Sequence, residues 1–202
     1  MAATAVYSIW LEPPTGSSTA VKSAAFIRSR VSPAVAGTGP ALPVFAPHVT
    51  LAGGFEGTEE DVRAKTLQLA ADLGAEAGPL FWGAECAVDD VAVGEAYFQC
   101  VYLRMQPSPQ LAKAHEMAAA AFGVPVGNGP GVPYMPHLSL MYGDQHSAED
   151  KAAAAVAARE TFALDRPEAS GGFTAHRLSL WCTDTADRSC SSWARVDYYP
   201  LQ

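Results

Sequence analysis

Apolar and polar positions along the chain change period several times, and each change marks an element. Residues 5–11 (AVYSIWL) alternate as a first strand, followed by a Pro/Gly/Ser turn at 13–18. A helix is predicted over 18–30, with Lys22, Arg28 and Arg30 on its solvated side. Residues 32–47 hold four prolines and two glycines and read as a loop, ending at Pro47 before a short strand at 48–52. Thr58, with Glu59, Glu60 and Asp61 behind it, opens a helix expected to stop near Gly74. Residues 80–93 and 96–105 read as a hairpin turning at Gly94, and a helix follows over 108–122. A second Pro/Gly/Asn loop spans 125–133, and a strand at 137–142 comes after Pro136. Ser147 then caps an alanine-rich helix to about 162. Two strands, near 174–182 and 191–198, close the chain around the turn DTADRS. Mixed order with hairpin-length turns implies an α+β fold with antiparallel sheet.

One pattern occurs twice. Pro47-His48-Val49-Thr50-Leu51 and Pro136-His137-Leu138-Ser139-Leu140 share the order proline, histidine, aliphatic, hydroxyl, leucine, each after a Pro-rich loop and before a capped helix. A repeated supersecondary unit predicts two pseudo-symmetric lobes within one domain spanning 1–202. In each strand the histidine and hydroxyl residue face one way and the aliphatic residues the other. Val49, Leu51, Leu138 and Leu140 should bury, leaving His48, Thr50, His137 and Ser139 to a cleft between the lobes.

Two imidazoles across a cleft suit phosphodiester hydrolysis: one, neutral, takes a proton from water, while the other, protonated, gives one to the departing oxygen. Thr50 and Ser139 can donate to the non-bridging oxygens, where charge builds. No metal and no cofactor is required, HExxH is absent, and no Gly-rich phosphate loop occurs. His115, His146 and His176 are expected to be solvated or structural, and aromatics such as Trp10, Phe98, Tyr134 and Tyr142 to be core or cleft wall.

Composition narrows the partners. The chain has 202 residues, is 49% hydrophobic and carries a formal charge of −8. It can bury a substantial core, but it lacks the basic footprint that long nucleic acid demands. A small phosphorylated ligand needs only a local cluster of donors. No apolar run reaches the roughly 20 residues of a membrane span, and MAATAVYSIW lacks the basic start of a secretory signal, so a cytosolic monomer is expected. The four cysteines show no CxxC spacing, and Cys182 and Cys190, which flank a turn, are left open as a pair or as free thiols.

The paired H-x-[T/S] motifs resemble those of the two-histidine phosphoesterase superfamily. VYSIW, FQCVYL, PYMPHLSLMY and RLSLWCTDTAD, together with PHVTL, are most similar to the plant-type cyclic phosphodiesterases. That resemblance implies opening of ADP-ribose 1″,2″-cyclic phosphate and nucleoside 2′,3′-cyclic phosphates in a cleft between two antiparallel lobes with helices outside. It implies His48 and His137 as the acid–base pair and Thr50 and Ser139 as phosphate holders. Trp10, Phe98 and Tyr142 would line the substrate pocket. Tyr142 would position the attacking water with His137, making His137 the base and His48 the acid. The loop at 32–47 is longer than this group leads one to expect, and the cysteines do not match those that pair in a plant member. The competing readings are an enzyme of RNA 2′,3′-cyclic or 2′–5′ ends, which a basic rim would favour, and a nucleotide-binding module without turnover.

Overall fold

The computed structural model describes residues 3–30, 43–76, 84–127, 131–166 and 171–201. Most of the predicted loop at 32–47, the first residues of the predicted strand at 80–93 and the middle of the loop at 125–133 lie outside them. Eight strands form one antiparallel sheet: β1 (Thr4–Leu11), β2 (Val49–Thr58), β3 (Ala84–Val93), β4 (Val101–Met105), β5 (His137–Met141), β6 (Gly172–Ala175), β7 (Arg177–Cys182) and β8 (Ala194–Pro200). Their order is β6-β3-β4-β5-β2-β1-β7-β8. Four helices accompany them: α1 (Ser18–Arg30), α2 (Glu59–Glu76), α3 (Pro109–Phe122) and α4 (Ala148–Phe162). No helix among the described residues is long and apolar enough to cross a membrane.

The sheet is α+β architecture with an internal two-fold. From the middle outward, β2-β1-β7-β8 mirrors β5-β4-β3-β6, so the two expected lobes are halves of one sheet. A single pairing, Val49 against Leu138, joins them. The helices lock the halves together. α1 follows β1 but packs on β5 and α4, where Thr19 Oγ1 donates to Gly172 O at 2.7 Å. α3 follows β4 but packs on β2 and α2, whereas α2 and α4 cover their own halves.

The sheet must also bend. Only His176 separates β6 from β7, yet five strands lie between them in the sheet order. In a flat sheet they would stand about 29 Å apart, while two steps of chain span about 7 Å. Curling the sheet brings both ends within that reach.

Local chemistry explains the element ends. Ser108 accepts from Leu111 N at 3.1 Å with Pro109 in the first turn of α3, and Gly123, at φ 68°, closes that helix. Ser147 and Asp150 form a capping box at the start of α4. The strand expected near 174–182 divides at His176 into β6 and β7, and three boundaries in the first hundred residues also differ from expectation. β2 continues to Thr58 because Gly54, at φ 74°, is absorbed as a bulge: Tyr7 pairs with Phe55, and Ser8 with Gly53. α2 runs past Gly74, which faces the core beside Leu73. Residues 97–99 form a 3-10 turn rather than strand.

Candidate active site

The repeated motifs flank the seam. Val49 pairs with Leu138, so the same register sets His48 across from Ser139 and Thr50 across from His137. Val49, Leu51, Leu138 and Leu140 are all fully buried on the opposite face, as the alternation requires, each worth about 1.5–3 kcal/mol of burial. His48, Thr50, His137 and Ser139 line one cavity of about 620 Å³, together with Trp10, Phe98 and Tyr142. Among the described residues, no Asp, Glu, Lys or Arg lines it. Among the described residues, no three His, Cys, Asp or Glu side chains assemble into a metal-binding group.

Both histidines are oriented by the same device. His48 Nδ1 lies 2.6 Å from the carbonyl of Ala46, and His137 Nδ1 lies 3.1 Å from that of Met135. A carbonyl only accepts, so each Nδ1 carries the proton and each Nε2 offers its lone pair. Burial holds both rings neutral. It pushes His48 down to about 3, opposed by the Ala46 carbonyl and assisted by the nearby His137. It also lowers His137, against the pull of the Met135 carbonyl.

The surroundings of the two rings differ. The Trp10 ring lies flat against His48, with centroids 3.5 Å apart and planes 6° apart. Tyr102 meets His137 edge-on at 5.2 Å. Trp10 and Tyr102 occupy matching register positions, Trp10 opposite Thr50 and Tyr102 opposite Ser139. Only His137 has an amide beside it: Gln99 Nε2 sits 3.2 Å from His137 Nε2, where it donates to the lone pair. The hydroxyls differ too. Ser139 Oγ donates to Phe98 O at 2.8 Å, whereas the Thr50 hydroxyl has no partner among the described residues.

Tyr142 is buried and stacks on Phe45 at 3.7 Å, with Phe98, Tyr97 and Trp193 around it; its ring makes no contact with His137. Burial raises its phenol, which stays protonated. His115 is a buried structural residue and is not solvated. Its Nδ1–H donates to Leu51 O at 2.6 Å, its Nε2 accepts from Gly127 N at 2.8 Å, and its ring stacks on Tyr134 at 3.9 Å. Cys182 and Cys190 are free thiols, as are Cys86 and Cys100.

Sequence reasoning missed Gln99, Tyr102 and Trp193. Gln99 falls in a stretch that reads as strand, and only the 3-10 turn aims its amide at His137. Tyr102 had one usable signal, its place between the buried Val101 and Leu103 in the strand paired with the second motif, but that needs the register. Trp193 follows the polar turn after β7 and shares no motif.

This fold, with two such strands meeting at its centre, defines a two-histidine phosphoesterase. E. coli LigT in complex with ATP has the same fold, with a TM-score of 0.56 and 16% identity over 99% of each chain. A structure described as a phosphoesterase has a TM-score of 0.57, also at 16% identity over 99% of each chain. The cyclic phosphodiesterase of Arabidopsis thaliana is 33% identical over 192 residues, 95% of this chain and 92% of the relative. A family model described as cyclic phosphodiesterase-like protein matches residues 5–197, and the chain belongs to that family.

Proposed function

We propose that the protein hydrolyses small cyclic phosphodiesters, ADP-ribose 1″,2″-cyclic phosphate and nucleoside 2′,3′-cyclic phosphates, to monophosphates. The observation that carries this reading is the pair of buried imidazoles in one cavity, each with Nδ1 tied to the carbonyl two residues back, which leaves Nε2 as the lone-pair nitrogen. Water attacks phosphorus and, as the Gln99 amide turns away from the ring, gives its proton to Nε2 of His137. The bond from phosphorus to one ribose oxygen breaks, and that oxygen takes a proton from Nε2 of His48. Thr50 donates to a non-bridging oxygen, and Ser139 does so by turning from Phe98 O.

The unequal surroundings support this division. Gln99 donates to the lone pair of His137 and so favours its neutral form. The short bond from His48 to Ala46 and the face of Trp10 both favour a cation. Burial keeps His48 neutral in the free cavity, so it gains its proton with the anionic substrate. The absence of Lys and Arg from the described lining favours a small ligand over an RNA end. Product analysis after incubation with ADP-ribose 1″,2″-cyclic phosphate or 2′,3′-cyclic AMP tests the reading. Monophosphate formation is expected; tight binding without turnover would replace it with a binding module.

A further inference from the structure

Behind the shared walls of Trp10 and Trp193 lies a second cavity of about 350 Å³. Its other sides include Phe45, Trp181, the exposed Val44 and Arg28 in the last turn of α1. Arg28 differs from five of the other arginines. Arg63, Arg104, Arg159, Arg188 and Arg195 each face a carboxylate, whereas Arg28 has no carboxylate, carbonyl or ring partner among the described residues. An unpaired guanidinium at the edge of a box of aromatic faces suits a planar base joined to a phosphate. The rings offer stacking, and the fork offers two donors to phosphate oxygens. Among the described residues, no Lys or Arg lines the histidine cavity to meet a second phosphate.

We infer that this side cavity is a second subsite, which holds a phosphate-linked nucleoside extending from the cyclic ester. The inference rests on the reading that the cyclic phosphate sits between His48 and His137. It makes Arg28 a specificity determinant: a substrate with a second nucleoside phosphate engages both cavities, and a cyclic mononucleotide engages one. The second nucleoside can come from the adenosine diphosphate arm of an ADP-ribose compound or from the preceding nucleotide of an RNA fragment.

The test compares kcat/KM of the wild type, Arg28→Ala and Arg28→Lys on three substrates: ADP-ribose 1″,2″-cyclic phosphate, a dinucleotide ending in a 2′,3′-cyclic phosphate, and 2′,3′-cyclic AMP. Arg28→Ala should lower kcat/KM about tenfold on at least one of the two extended substrates, the size of one charge-assisted contact near the surface. It should leave 2′,3′-cyclic AMP unchanged, and Arg28→Lys should recover part of the loss. Which extended substrate falls identifies the source of the second nucleoside. Equal losses on all three, or no loss on either extended substrate, would overturn the subsite. Calorimetric titration of ADP-ribose, which needs no turnover, separates the two failures. If no substrate is hydrolysed but Arg28→Ala still weakens ADP-ribose binding, the subsite stands and the hydrolytic reading falls. If ADP-ribose binds both proteins alike and Arg28→Ala leaves kcat/KM on the dinucleotide unchanged, the subsite falls.

Discussion

The His48 half and the His137 half start from nearly the same five residues and end in different environments. Both rings follow a proline, tie Nδ1 to the carbonyl two residues back and stand beside the one pairing that joins the halves. His48 then lies flat under Trp10, in a bond of 2.6 Å to its carbonyl. His137 meets the edge of Tyr102, makes a longer bond of 3.1 Å and receives the Gln99 amide. A repeated motif thus supplies two copies of one group, and the flanking strands make the copies unequal. Acid–base catalysis benefits from that inequality, because it assigns the proton to one ring and the lone pair to the other.

The largest test of the comparison removes each ring. His48→Ala and His137→Ala should each lower kcat by about a hundredfold or more, with folding retained by circular dichroism. An activated aryl phosphodiester, whose leaving group needs no proton, should rescue His48→Ala far more than His137→Ala. Rescue of His137→Ala instead would exchange the two roles.

A smaller effect is expected from the aromatic partners. Trp10→Leu should cost about tenfold or more in kcat, because His48 loses the face that favours its cation. Tyr102→Phe keeps the ring edge beside His137 and should stay within about twofold. Equal losses would mean that both rings serve only packing.

Smaller still is the effect of the amide. Gln99→Ala removes a donor that stabilises neutral His137, so the ring binds its proton more readily. The acid-side limb of kcat/KM should move to higher pH, while His48→Gln should not reproduce that shift. The limb belongs to the coupled pair, and its displacement is the quantity to compare. A limb that stays in place would deny Gln99 its influence.

Stability offers a readout of another kind. Burial holds His48 at about 3 in the folded protein, below its ordinary value near 6.5. The unfolded chain therefore binds the proton first. This contribution to stability is fully present above about pH 6.5 and is lost as pH falls toward 3. Denaturant unfolding of His48→Gln should show a shallower loss across that window than the wild type. Parallel curves would mean that the ring is not buried neutral.

The amino-acid order by itself determined much of this. The cap at Ser147 marked the start of α4, because capping is a contact between near neighbours. Alternation along the two motifs separated Val49, Leu51, Leu138 and Leu140 from the histidine face, because strand periodicity is a local property. The motif repeat announced the internal two-fold and the two histidines. What lay beyond the sequence was every relation set by distant segments. The extension of β2 through Gly54 depends on its pairing with β1. The division at His176 depends on the curl of the sheet, and the burial of His115 on a helix lent by one half to the other. Trp10 beneath His48, Gln99 against His137 and Arg28 behind Trp10 were likewise decided only by tertiary structure. The electrostatics that distinguish two equal motifs come from side chains that packing brings near, at separations in sequence that no local pattern records.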